Sequence, residues 1–446
     1  MPITPIGWLL VLAIALLLFA VPRRWALVPV FVSALWIPVG QFVDVGGLHF
    51  YVWRFVVLLA FVRIILRREY PVAFWNRVDQ GMVVWASVLL MTSLFHHPRL
   101  LQARLGMIYD YAGSYMVFRC LIVDFEGVKQ AVLIAVVLFV PVALSVAAEH
   151  ATGRNWFSVL GGVSEISQAR DGIVRAQASF AHPINAGTAG AITSGLSLLL
   201  WRWFKRTAII GFCAGLLAMF GSASSGPILA LVIIMGSVML YRWRRYSRMF
   251  LWGGLGGLLL LHLVMEAPVW YVISRVKIFG SSTAWHRSEL INSAFMHVGD
   301  WCLAGTDHTR AWIPYGLDEG DEDAADITSE FIKMMVTGGL GLFLAFGWVL
   351  CAGFGFARRL RGSADAGETA GVHAFEAWVI TAMLTSFAIT FWTVSYFDQV
   401  KVYWSFVMAA TSAWWASEAA RLTGVESHAV PKAELDGLAQ AQCLQA

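Results

Sequence analysis

Ala131-Val-Leu-Ile-Ala-Val-Val-Leu-Phe139-Val-Pro141-Val-Ala-Leu-Ser145-Val-Ala-Ala148 runs without a single charge. A helix needs roughly 20 apolar residues to cross the hydrocarbon core of a bilayer, and this stretch fills most of such a run at 129–148. Its apolar residues are continuous and do not alternate with period two, so it reads as a helix and not as a barrel strand. Comparable runs lie near 4–22, 25–43, 51–67, 80–95, 105–123, 184–203, 207–221, 226–241, 249–265, 331–355, 374–396 and 400–417. The chain is 59% hydrophobic and 13% charged, with a mean hydropathy of +0.68, too apolar for a soluble globule to solvate its own surface. The expected fold class is all-α. It is a polytopic membrane helical bundle of about 12–13 transmembrane helices, forming one domain over 1–421 and followed by a polar cytoplasmic tail at 422–446.

Lys and Arg accumulate in short cytoplasmic loops and so set the orientation. The clusters at Arg23/Arg24, Arg63/Arg67/Arg68/Arg77, Arg202/Lys205/Arg206, Arg242/Arg244/Arg245/Arg248 and Arg358/Arg359/Arg361 all fall on one side of such a bundle. That side is expected to be cytoplasmic, which places two large loops, 149–183 and 266–330, in the periplasm of a bacterial inner membrane. The first run meets Arg23 and Arg24 directly, with no small-residue cleavage site, and is expected to be retained. The anchoring clusters account for the net charge of +4, which implies no nucleic-acid surface. Cys120, Cys213, Cys302, Cys351 and Cys443 show no CxxC or metal-ligand spacing. Walker, HExxH and GxSxG sequences are absent, so the sequence supports neither ATP hydrolysis nor a familiar hydrolase.

The chemistry is expected in the two large loops. The first runs through Arg170 and Asp171 into Arg175-Ala-Gln-Ala-Ser-Phe180-Ala-His182-Pro183. Pro suits the first turn of a helix, a helix start favours an anion, and an arginine forks onto phosphate oxygens. Arg175 beside the helix start at Pro183 therefore reads as a pyrophosphate cradle; surface pairing of Arg170 and Arg175 with Glu165 and Asp171 is the competing reading. Gly221-Ser-Ala-Ser-Ser225-Gly-Pro227 reads as either a broken helix or a tight hairpin. The second loop holds Trp285, His286 and Arg287, with Arg287, Ile291 and Ala294 at helical spacing. Asp307, His308, Arg310, Trp312 and the acidic run Asp318 to Asp326 follow, then Thr328 as the expected cap of a helix with Glu330 in its first turn. His96 and His97 read as interface or packing residues. Arg54 and Arg119 lie within or near apolar runs, where an ionisable group faces a cavity or a partner; Arg119 either holds a lipid phosphate or snorkels to the cytoplasmic face.

These stretches, in this order, resemble the O-antigen ligase and polymerase superfamily, membrane glycosyltransferases that act on polyprenyl-pyrophosphate-linked sugars. Arg175-x-x-x-x-Phe180-x-His182-Pro183-x-x-Ala186-Gly187 is similar to the family's arginine and following helix start. The stretch around Arg287, leading to Gly299 and Gly305, is similar to its arginine-bearing helix. Asp326-Ile-Thr-Ser-Glu330-Phe-Ile with Gly338-Gly339-Leu-Gly341-Leu is similar to its outer-loop exit. The likeness covers most of residues 100–400 and is nearer the exopolysaccharide polymerase branch, because the His-Asn pair of ligases is here Asp326-Ile327-Thr328.

The resemblance implies a GT-C-like bundle and a metal-independent, cofactor-free transfer at the periplasmic face. A glycan would pass from a polyprenyl pyrophosphate to a sugar hydroxyl on a second lipid-linked repeat unit. Ligation to lipid A-core or protein is the alternative, and a lipid-linked oligosaccharide transporter is the alternative of another class. Pyrophosphate binding falls to Arg175, Arg287, Arg310 and Arg119. Uptake of the acceptor proton falls to His308, Asp307, Glu330 or Asp326. His182, Trp285 and Trp312 would line the substrate, and no residues are assigned to a metal. The implied partners are an undecaprenyl-pyrophosphate-linked oligosaccharide, membrane lipid, a chain-length regulator and a flippase.

Overall fold

The structure, a computed structural model, describes residues 2–46, 48–71, 75–170, 172–275, 283–312, 327–365 and 373–422. The whole acidic run from Asp318 to Asp326 and nearly all of the expected tail lie outside the described residues. The chain is mostly helical. In order its helices are α1 (Pro5–Ala20), α2 (Leu27–Trp36), α3 (Val52–Arg67), α4 (Arg77–Ser93), α5 (Pro98–Ile108), α6 (Ser114–Leu121), α7 (Phe125–Thr152), α8 (Pro183–Leu199) and α9 (Lys205–Gly221). They continue as α10 (Ser225–Met239), α11 (Ser247–Val264), α12 (Val272–Arg275), α13 (Thr283–Met296), α14 (Val298–Trp301), α15 (Glu330–Asp365), α16 (Ala374–Thr390) and α17 (Val400–Leu422). Two antiparallel hairpins interrupt them, β1 (Phe42–Val45) with β2 (Leu48–Tyr51) and β3 (Gln168–Arg170) with β4 (Ile173–Arg175).

Every apolar run in the sequence carries a helix. Among the described residues, α7, the unit Ser225–Val264 and α15 are long and apolar enough to cross a membrane. Four runs depart from an unbroken helix, one of them 331–355, which breaks at Gly338 and Gly339. The run 25–43 is helical only to Trp36, because Pro38 cannot continue the ladder, and Gln41 then ties the chain to Thr4 (3.0 Å) and to the Leu160 carbonyl (2.8 Å). Within 105–123 the residues Tyr109–Gly113 form a π-helical turn between α5 and α6, a distortion common at functional sites. The run 374–396 leaves the helix at Thr390, and residues 391–399 form a loop between α16 and α17.

Small residues allow the central helices to approach closely, as in membrane bundles. A Cβ added at Gly190 of α8 would lie 2.5 Å from the Gly215 carbonyl of α9. α8 is buried on nearly all sides, whereas α11 has no buried side chain. The basic clusters meet at one end of the bundle. There Arg63 forks onto Glu69 (2.8 and 2.6 Å) and bonds to the carbonyls of Leu18 and Val21, Arg244 meets Asp365 (2.7 Å) and Arg202 lies 3.5 Å from Glu376.

α15 is broken near its start. Gly338 and Gly339 leave helical geometry, with Gly339 at φ 72°. The freed backbone groups are taken up by the strap 302–306: Thr306 N–H donates to Val336 O (2.7 Å) and Leu340 N–H to Cys302 O (2.9 Å). Glycine is required here, since a Cβ at Gly339 would stand 2.5 Å from Leu303 O in a backbone region that side chains disfavour.

Candidate functional site

At the end opposite the basic clusters, α3, α8, α10, α15 and α17 all begin, and the loop 391–399 threads among their starts. Ser329 Oγ donates to Phe391 O (2.9 Å) and Phe331 N–H to the same carbonyl (3.2 Å). Gln399 Nε2 donates to Ser179 O (2.8 Å), and a Cβ at Gly226 would lie 2.9 Å from Val394. Each helix start turns the positive end of its dipole toward this region.

Arg175 closes the β3–β4 hairpin and is 9% exposed. Its Nη2 donates to Ser224 Oγ (2.9 Å), the residue that precedes α10, while its buried Nε has no hydrogen-bond partner among the described residues. Asn185 in the first turn of α8 is also buried, with its Nδ2 unpartnered. Burial, and then Arg170, lower the Arg175 pKa, yet a guanidinium stays charged in proteins. His182 caps α8: its Nδ1 accepts from Ile184 N–H (3.1 Å), which leaves the proton of the neutral ring on Nε2. Burial first, then Arg175 and Arg170, push its pKa down to about 4, so the ring is neutral at pH 7. Its ring centroid is 6.1 Å from that of Phe397. Within the stretch 221–227, residues 222–224 form a short turn between α9 and α10, with Ser222 and Ser224 buried in it.

A second polar cluster lies across the 391–399 loop. Arg54 forks onto Asp110 of the π-turn (2.8 and 2.9 Å) and donates to His49 O (2.6 Å). Lys401 reaches the same carboxylate at 3.4 Å and sits 5.6 Å from the Tyr111 ring centroid. Lys333, one turn into α15, is an electrostatic neighbour of Glu330, Lys401, Asp398 and Asp110. Asp398 is held at φ 49°, and burial raises its pKa against the opposing pull of Lys401.

Glu330 belongs to the framework of this cluster. It is fully buried and takes hydrogen bonds from Tyr111 Oη, Ser395 Oγ (3.1 Å) and Tyr396 N–H (2.7 Å). These bonds join the start of α15 to the π-turn and to the 391–399 loop. The helix cap is Ser329 and not Thr328 as the sequence suggested, with Ser329 Oγ accepting from Ile332 N–H (3.3 Å).

The second loop is laid against the short half of α15. Ile291 and Ala294 are buried with Ile332, Met335 and Val336, and Arg287 lies one turn before Ile291 on the same face. Asp307 pairs with His96 Nδ1 (2.6 Å), whose Nε2 lies 2.7 Å from Ala304 O, and Arg104 Nη2 stands 3.6 Å from the same carboxylate. His96 therefore clasps the strap, a role the packing assignment missed. His308 and Arg310 are exposed. Trp285 is 45% exposed, but Trp312 is 4% exposed and stacked on His297 at 5.1 Å, so it packs the loop and offers no face to a sugar. Arg119 lies apart from all of these. It is fully buried beside Asp79 (3.5 Å), near Arg23 and Cys120 at the basic end, where it neither snorkels to water nor joins the site.

The structure thus brings together Arg175 and His182, and brings Asp307 to His96 and Arg104. The sequence reading missed Asp110, Lys333, Lys401 and Asp398. One signal was available, since Asp110 and Lys401 interrupt the apolar runs 105–123 and 400–417, where an ionisable residue marks a site. No family model matches this chain, and no match is found among curated proteins.

Proposed function

We propose that the protein is a bacterial inner-membrane glycan polymerase that transfers a glycan from a polyprenyl pyrophosphate to a sugar hydroxyl of a second lipid-linked repeat unit. The observation that carries this reading is Arg175, a buried guanidinium with an unmatched Nε, set against the start of α10 beside the His182–Pro183 start of α8. A fixed cation and helix N–H groups in an apolar surround suit a departing pyrophosphate, because they stabilise charge without reorganising. The anomeric carbon loses its bond to the pyrophosphate, which leaves with the electron pair, and bonds to the acceptor oxygen as that hydroxyl gives up its proton. With Glu330 committed to three donors, proton uptake falls to the exposed His308 or the clasped Asp307, which follow the strap. The positive-inside rule assigns the basic end to the cytoplasm and this site to the periplasm, and the wider bundle of about 12–13 spans belongs to the same proposal. Arg287, on the α13 face toward α15, and Arg310 are further donors to the pyrophosphate under this reading. A chain-length regulator and a flippase would supply and limit the reaction.

The test is reconstitution of the purified protein with a short polyprenyl-pyrophosphate-linked repeat unit, followed by product length. A ladder supports polymerisation. Single transfer only on adding a lipid A-core or protein acceptor would replace it with ligation, and lipid movement without bond cleavage would replace both with transport.

A further inference from the structure

We propose that Lys333 and Lys401 form a second phosphoanion subsite, distinct from that of Arg175, which holds the pyrophosphate of the acceptor lipid. The inference rests on the polymerase reading and adds to it the residues that hold the acceptor lipid. Each ammonium offers three N–H donors, yet among the described residues the pair makes one hydrogen bond, the 3.4 Å contact of Lys401 with Asp110. The carboxylates around them are engaged elsewhere. Asp110 is forked by Arg54 at 2.8 and 2.9 Å, and Glu330 takes Tyr111, Ser395 and Tyr396. Asp398 also faces both lysines.

The position of the pair sharpens this. Lys333 lies in the first turns of α15 and Lys401 is the second residue of α17. A cation at the positive end of a helix opposes the dipole, and the two cations are brought toward each other through Tyr111, which bonds Glu330 at the start of α15 and has its ring centroid 5.6 Å from Lys401. A phosphoanion between them offsets both repulsions and accepts from both ammonium groups. The π-turn contributes by turning Asp110 and Tyr111 to hold Lys401 from one side, 3.4 Å from a carboxylate oxygen and 5.6 Å from a ring centroid.

The two cationic groups flank one loop. On one side Phe397 meets His182 of the Arg175 subsite, and on the other Asp398 faces Lys333 and Lys401. Two phosphoanion subsites on either side of a short loop are what a reaction between two lipid pyrophosphates requires. Transfer to an acceptor with no pyrophosphate would need only one.

Farnesyl pyrophosphate titrated calorimetrically into the full-length protein in zwitterionic nanodiscs tests this. Two sites are expected in the wild type. Lys333→Met and Lys401→Met should each weaken one site by about tenfold or more, corresponding to about 1.4 kcal/mol, and leave the other intact, which also shows that the variants are folded. Arg175→Met should weaken the other site, and Lys333→Arg should keep both. A single wild-type site, lost in Arg175→Met and indifferent to Lys333→Met and Lys401→Met, would overturn the second subsite while leaving the polymerase reading standing. No wild-type binding would overturn both. Inorganic pyrophosphate should compete at both sites; occupation of the lysine site by phosphatidylglycerol with no competition from inorganic pyrophosphate would reassign it to a bilayer headgroup and overturn the acceptor role.

Discussion

Arg63 and Arg175 are both buried arginines, at opposite ends of the same bundle, and their surroundings differ in kind. Arg63 has a carboxylate forked onto it and carbonyls from the end of α1 and its cap on its remaining nitrogen. Arg175 has one hydroxyl and a buried N–H with no hydrogen-bond partner among the described residues. Bringing a charge out of water costs several kcal/mol unless its partners are complete, so the first arrangement holds a fold together and the second waits for something. Buried charge by itself says little; what distinguishes these two arginines is how far their N–H groups are met.

Substitutions at the two ends should break this comparison in opposite ways. The largest effect is expected from Arg175→Met, with glycan transfer reduced by about 100-fold or more and thermal unfolding nearly unmoved; a loss of activity matched by a loss of folded protein would place Arg175 with Arg63. Next, Arg63→Met leaves Glu69 buried and unpaired, a change of about 3–5 kcal/mol. Its melting temperature in detergent should fall sharply, and Arg63→Met with Glu69→Met together should recover most of it. Glu330→Gln should cost about 1–3 kcal/mol through Tyr111, Ser395 and Tyr396, with activity per folded molecule largely kept; transfer abolished in a fully folded Glu330→Gln protein would return Glu330 to the chemistry.

The smallest effect concerns pH. The His182 pKa is lowered from 6.5 to about 4 in the folded chain, so the unfolded chain takes up the proton first as pH falls. The stability this neutral ring confers is complete above about pH 6.5 and is lost as pH falls toward 4. His182→Asn keeps a capping side chain and should flatten that part of the pH profile of thermal unfolding; an unchanged profile would remove His182 as its source.

Helix positions were legible because local composition fixes them. The run 129–148 lies inside α7, and the His182–Pro183 step marks the start of α8 as its chemistry demands. Where Pro38 or the 391–399 loop interrupts an apolar run, hydropathy read on through the break, because buried loops are as apolar as helices. The Arg175 subsite was half visible, since the arginine and the helix start are neighbours in sequence. Its Ser224 partner and the links from Lys401 to Asp110 and from His96 to Asp307 join distant segments, and no periodicity encodes them. Trp312 shows the converse, a residue whose type suits a sugar but whose ring is spent on His297.

The most direct measurement is the amount of lipid pyrophosphate released per glycosidic bond formed, followed in proteoliposomes with a defined lipid-linked repeat unit for wild type and Arg175→Met. One equivalent per bond in the wild type, and release all but absent in a folded Arg175→Met protein, is the expected result. Wild-type movement of the lipid across the bilayer with no pyrophosphate released would contradict the assignment of this site to glycan transfer.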